Sequence, residues 1–148
     1  MSNFVYRLKT LFKDAGLSTV SGQQLLGISK TQLGRYLSGY YVPSLKNALT
    51  ICKHFDCSLD YLLGISDIKN QFENIKEPDF GTFKSRYLNL IEKHNTSIYQ
   101  IAKELHFNRN DWTYWNKNKS LPTLETLYNI AIRFQVSADY LIGRTDTK

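Results

Sequence analysis

The sequence predicts an all-α chain built as two similar units, and three observations carry that expectation. Apolar residues recur at three- and four-residue steps, with little of the alternation a half-buried strand would show. The segment from Pro43 to Gly64 reappears without a gap from Pro122 to Gly143, an offset of 79 residues. Hydroxyl residues and glycines fall where short helices would begin and end. Carried back toward the amino terminus, the same offset pairs Phe4 with Phe83, Arg7 with Arg86, Leu11 with Leu90, Ser18 with Ser97 and Leu26 with Leu105. The expected organisation is a first domain over 1–67, a connector over 68–82 and a second domain over 83–148, each domain near the small end of what folds around its own core.

Taken in order, Phe4, Leu8, Leu11 and Phe12, and equally Phe83, Tyr87, Leu90 and Ile91, form the apolar stripe of an amphipathic first helix. Gly16 stops the first of these, and His94-Asn95 is a poorer stop for the second. A short helix follows and turns at Gly27 or His106. A third helix then opens with Ser29 or Asn108 as its N-cap and ends at Ser38-Gly39 or Lys117-Asn118. Pro43-Ser44 and Pro122-Thr123 open a fourth, whose apolar positions include Leu45, Leu49 and Cys52, or Leu124, Tyr128 and Ala131. A last helical turn begins at Ser58 or Ser137 and closes on Gly64 or Gly143.

Composition narrows the function. Nineteen Lys and Arg against thirteen Asp and Glu give a formal charge of +6, and splitting the chain after Asp67 leaves +3 on each part. A basic balance favours a polyanionic partner. At 42% hydrophobic and 14% aromatic the chain is globular. It shows neither a membrane-crossing apolar run nor a signal-peptide pattern, so no membrane partner and a cytoplasmic location are expected.

From Gly27 to Gly39 the sequence reads Gly-Ile-Ser-Lys-Thr-Gln-Leu-Gly-Arg-Tyr-Leu-Ser-Gly. It continues with Pro43-Ser-Leu and with Ser58-Leu-Asp-Tyr-Leu-Leu63. This order resembles the lambda-repressor-like (Xre family) helix-turn-helix domain. The second half resembles it through Ile101-Ala-Lys-Glu-Leu105, Phe107, Trp112, Trp115, Pro122-Thr-Leu and Val136-Ser-Ala-Asp-Tyr-Leu-Ile142. The resemblance covers nearly everything but the connector and implies two tandem five-helix DNA-binding domains. Some positions depart from the family's pattern. Gly22-Gln23 replaces its Leu-Ala of the second helix, and His106 replaces the turn glycine. Thr19 and Ile98 stand where the family usually has Gln. Phe12 and Leu37 stand where it pairs an Arg with a Glu, an apolar substitute that removes a desolvation cost.

In such a fold the third helix enters the major groove. At about 100° per residue, Lys30, Thr31, Gly34 and Arg35 share its outward face, while Leu33 and Tyr36 turn to the core. Lys30 and Arg35 suit guanine, Gln32 suits adenine and Thr31 suits a thymine methyl. No acidic residue lies between Ala15 and Phe55. A solvated helix face would show the same charges, so the surrounding motif carries the assignment. In the second half the equivalent readers are Arg109, Asn110, Asp111, Thr113 and Tyr114. Arg109 suits guanine and Asn110 adenine, and Asp111 either accepts from cytosine or repels a phosphate. Trp112 and Trp115 align with Leu33 and Tyr36 and are expected in the core. Backbone phosphates are expected near Ser18, Thr19, Ser29, Tyr40, Tyr41, Asn108, Lys117 and Lys119. Tyr40 and Tyr41 would equally suit a protein interface.

Cys52 and Cys57 align with Ala131 and Val136, which points to core thiols and not to a metal or redox site. None of His54, His94 and His106 recurs in the repeat. No nucleophile, zinc or phosphate-loop spacing is present, so no enzymatic activity, metal or cofactor is expected. The reading is a sequence-specific regulator of phage, mobile-element or bacterial origin, most simply a repressor, that binds double-stranded DNA through two unequal helices. A homodimer, and control by an antirepressor or other protein partner, are compatible with it. The alternative is a protein-binding adaptor or inhibitor that reuses the fold in one or both copies.

Overall fold

The computed structural model describes residues 2–148, with side chains described from Asn3 onward. It is all-helical, and no strand occurs among the described residues. The chain divides into a first unit that reaches Gln71 and a second from Phe72 to Lys148. The first contains α1 (Ser2–Asp14), α2 (Thr19–Leu26), α3 (Lys30–Leu37), α4 (Leu45–Phe55) and α5 (Leu59–Leu62). The second contains α6 (Phe80–Lys93), α7 (Ile98–Leu105), α8 (Asp111–Asn116), α9 (Leu124–Phe134) and α10 (Ala138–Leu141).

In the first unit Phe4, Leu8, Leu11 and Phe12 of α1 are buried, as are Leu33 and Tyr36 of α3, Ile51 and Phe55 of α4, and the α5 leucines; α1 packs against α3 and α5, and its Phe12 ring meets Phe55. Gly27 ends α2 in the left-handed region. Ser29, Ser44 and Ser58 each accept a hydrogen bond from a backbone N–H three residues on, which caps α3, α4 and α5. The buried face of α4 is Ala48, Ile51, Cys52 and Phe55. Leu45 and Leu49, expected in that stripe, are only half-buried because they flank this i, i+3, i+4, i+7 row.

The second unit has Tyr87 and Trp115 at the places of Leu8 and Tyr36. Phe83 stacks on Tyr87 at 5.5 Å, and Trp115 meets both edge-on. Trp115 is buried but Trp112 only half-buried. His106 takes the left-handed conformation at φ 59° that Gly27 takes in the first unit.

A second shared feature lies at the end of each unit. Arg7 sits 4.2 Å from the Tyr61 ring centroid, pairs with Asp67 at 2.6 Å and donates to the Ser66 carbonyl. Arg86 sits 4.0 Å from the Tyr140 ring, pairs with Asp146 at 2.8 Å and donates to the Tyr140 and Thr145 carbonyls. Each arginine thereby ties the chain after the last helix back onto the first.

Residues 68–82 are not wholly extended chain. Ser58 donates its N–H to the Lys69 carbonyl, and Asn70 donates to Asp56, both inside the first unit. Lys76 and Asp79 donate their N–H groups to Arg144 and Ile142, both inside the second. Asp79 also caps α6 by accepting from the Thr82 N–H at 2.8 Å, so this helix starts at Phe80, inside the span expected as connector. The Thr82 hydroxyl also donates to Asp79, at 2.7 Å, and that bond together with the one from the N–H holds the Asp79 carboxyl below its ordinary pKa.

Candidate nucleic-acid interface

In the first unit, α2 and α3 form a helix-turn-helix whose geometry depends on Gly22 and Gln23. A Cβ at Gly22 would stand 2.9 Å from Phe12 Cε2 and 3.1 Å from Leu33 Cδ1, so α2 lies against α1 and α3 at glycine distance. The Phe12 ring fills the space released and also meets Phe55, 5.9 Å between centroids. Gln23 reaches across the turn and accepts from the Lys30 N–H at 2.7 Å. Together with Ser29, which accepts from the Gln32 N–H at 3.2 Å, it satisfies two of the amides that a helix start leaves open.

So anchored, α3 places Leu33 and Tyr36 in the core and leaves Lys30, Thr31, Gln32 and Arg35 exposed. An open groove of about 420 Å³ runs along this face, lined by Thr19, Lys30, Thr31, Gly34, Arg35, Ser38 and Tyr40. Expected base readers and two expected phosphate neighbours, Thr19 and Tyr40, therefore come together in space. Gly34 has nothing within 4 Å of where a Cβ would be, so internal packing does not require it. Gln32 lies outside the groove lining, with its amide oxygen near the Ser29 hydroxyl. The Ser18 and Ser29 hydroxyls act as caps, Ser18 in a reciprocal capping box with Ser21. Tyr40 and Tyr41 are both exposed, and both rings lie near the Arg35 guanidinium.

The second unit departs from expectation at the start of α8. Asn108 does not cap a regular helix as Ser29 does. Its side-chain oxygen accepts from the Asn110 N–H two residues on, at 2.8 Å, which makes an Asx turn. The next amides, of Asp111, Trp112 and Thr113, donate three residues back and not four. Arg109 and Asn110 consequently sit in a turn before the helix, and α8 has 6 residues where α3 has 8. Ala102 stands where Gln23 does and offers no side-chain acceptor, which removes one of the two supports that hold the start of α3.

Asp111 begins α8 and is half-buried, while Thr113 and Tyr114 are exposed. Lys117 is the C-cap and Lys119 follows the left-handed Asn118. Arg109 lies over Tyr99 of α7 at 5.4 Å. Gln23 and Tyr99 escape a reading by residue type alone, because a glutamine or tyrosine on a helix surface signals nothing until its neighbour across the turn is known. Cys52 and Cys57 are both buried, as their alignment with Ala131 and Val136 predicts.

Residues 8–62 match the model of a helix-turn-helix family, a match that lies within the first unit and contains the α2–α3 motif and its groove. That family points to a DNA-binding transcription regulator. No curated protein and no solved structure matches the chain. Among the described residues, no helix is long and apolar enough to cross a membrane.

Proposed function

We propose that the chain is a sequence-specific double-stranded DNA-binding regulator, a repressor of phage, mobile-element or bacterial origin that acts by covering a promoter. The observation that carries the proposal is the groove along α3. It gathers Lys30, Thr31, Gly34 and Arg35 beside Thr19 and Tyr40, in a stretch of sequence without an acidic residue. Cations there neutralise phosphates while the exposed donors of α3 meet base edges. The two units are tandem readers of unequal strength in this proposal. α3 is regular to its first turn, whereas Arg109 and Asn110 precede a shorter helix that opens on Asp111.

Selection of bound fragments from random duplex DNA tests it, followed by titration of the selected site at several salt concentrations. A regulator of this kind shows a steep salt slope and a recovered consensus. Arg35→Ala should cost about 1–3 kcal/mol on the selected site and relax one base pair, whereas Lys119→Ala should weaken all duplexes alike. Equal losses on selected and random DNA for Arg35→Ala would reject the assignment.

The irregular start of α8, together with exposed Tyr99 and Tyr114, supports a second reading in which the second unit holds a protein partner. Wild-type affinity and salt slope in an Arg109→Ala, Lys119→Ala double variant would favour that reading.

A further inference from the structure

The loop after α3 folds back on the helix it leaves. Gly39 takes φ +78°, a left-handed conformation that reverses the chain, and the N–H groups of Tyr40 and Tyr41 both donate to the Arg35 carbonyl, at 2.9 and 3.3 Å. This puts two aromatic rings beside the arginine whose backbone they cap. The Arg35 guanidinium carbon lies 5.1 Å from the Tyr41 centroid and 5.9 Å from that of Tyr40, within the range of about 6 Å where a cation is drawn to a ring face. The rings meet each other edge to face at 4.8 Å, so Tyr40 supports Tyr41. No ion pair holds Arg35 among the described residues, and no acid lies between Ala15 and Phe55 to compete for it.

We propose that Tyr40 and Tyr41 are positioning residues that hold Arg35 in a reading posture before DNA arrives, with Tyr41 the main platform and Tyr40 its brace. This rests on the DNA-reading function of α3 and changes the part the tyrosines play in it: their rings serve the arginine, not a phosphate. An arginine that is already stacked loses less side-chain freedom when it forms a bidentate pair with guanine. The internal repeat supports the assignment, because all three side chains are absent together from the second half. Tyr114, Lys119 and Ser120 stand at the places of Arg35, Tyr40 and Tyr41, although Lys119 still donates its N–H to the Tyr114 carbonyl at 2.9 Å. One of the two backbone bonds of the cap is thus kept in the second unit, whereas the two rings stand at these positions only where there is an arginine to hold.

The full-length chain is compared with Tyr41→Leu, Tyr41→Phe, Arg35→Ala and the Arg35→Ala, Tyr41→Leu pair. Each is titrated against the duplex selected by the wild type and against a random duplex. Tyr41→Leu should weaken the selected duplex about fivefold to tenfold and the random duplex less than about twofold. Tyr41→Phe keeps the ring and should stay within about twofold of wild type, and Tyr41→Leu should add nothing once Arg35 is gone. Without DNA, the Arg35 Nε–H NMR resonance should be displaced by the ring in the wild type and in Tyr41→Phe, and return to the value of a solvated arginine in Tyr41→Leu. Equal loss on both duplexes, a Tyr41→Phe as weak as Tyr41→Leu, or a loss that persists beside Arg35→Ala would overturn the proposal in favour of a phosphate contact. A wild-type chain with no preference for any duplex sinks the base-reading function itself. The NMR signal, which needs no DNA, then still accepts or rejects the stack.

Discussion

Gly22 and Phe12 align with Ile101 and Ile91 of the second half, one pair a glycine with a ring and the other two branched chains. With Phe12 Cε2 only 2.9 Å from where a Gly22 Cβ would sit, Gly22→Ala overfills the joint between α1, α2 and α3. Overpacking costs about 1–3 kcal/mol, against about 1 kcal/mol returned by alanine's helix propensity. The variant should be destabilised, and adding Phe12→Leu should recover part of the loss. A double-mutant cycle by chemical denaturation reads this coupling, and additive losses would disprove it. Tyr87 presents the opposite problem. It is wholly buried, and its hydroxyl meets no hydrogen-bond partner among the described residues. Burial pushes its pKa well above that of an ordinary tyrosine. The neutral phenol is therefore the folded form, and stability present below the unfolded value of about 10 is lost as pH rises beyond it. Tyr87→Phe should raise stability at neutral pH by about 1 kcal/mol and flatten the alkaline limb. A destabilised Tyr87→Phe would show that the hydroxyl has a partner after all.

Among the helices, the sequence revealed most where local chemistry decides. Ser29, Ser44, Ser58, Ser97, Thr123 and Ser137 all cap the helices they precede, and the stripe of Phe4, Leu8, Leu11 and Phe12 is buried as its spacing requires. The start of α8 was illegible because Asn108 looks like a cap by residue type, yet an asparagine side chain can also close on the amide two residues ahead. Whether it does so depends on support from α7, where Ala102 replaces Gln23, and that is a tertiary fact. The groove residues on α3 followed from helical phase, but the rings beside Arg35 depend on a chain reversal at Gly39 that spacing does not encode. Gly34 gives the test at this scale. A methyl group there meets nothing inside the protein, so Gly34→Ala should stabilise the chain by about 1 kcal/mol through helix propensity alone. The same methyl would protrude into the groove where DNA is proposed to lie. Higher thermal stability with weaker duplex binding would mark Gly34 as a contact surface, and unchanged binding would show that DNA does not come close there.

For the whole molecule the decisive question is how many readers one chain brings to DNA. Lys30 and Arg109 both suit guanine, but Thr31 and Arg35 are not matched by Asn110 and Tyr114 in donors or acceptors, so the two units do not prefer the same run of bases. A single-domain repressor that pairs with its own copy presents identical helices and selects a palindrome. One chain with two different readers selects two unlike half-sites. Covalent linkage supplies the second unit at an effective concentration that makes two weak contacts sufficient. The footprint of a complex containing one chain should therefore show two protected half-sites of different sequence. Scrambling the half-site that Arg35→Ala desensitises should cost more affinity than scrambling the other, since two side chains cap the first turn of α3 and the N-cap of α8 makes no side-chain cap bond. Stoichiometry from analytical ultracentrifugation fixes the number of chains per duplex. Two chains on one palindrome, or one chain protecting a single half-site, would remove the tandem-reader model while leaving the α3 groove as the reading surface.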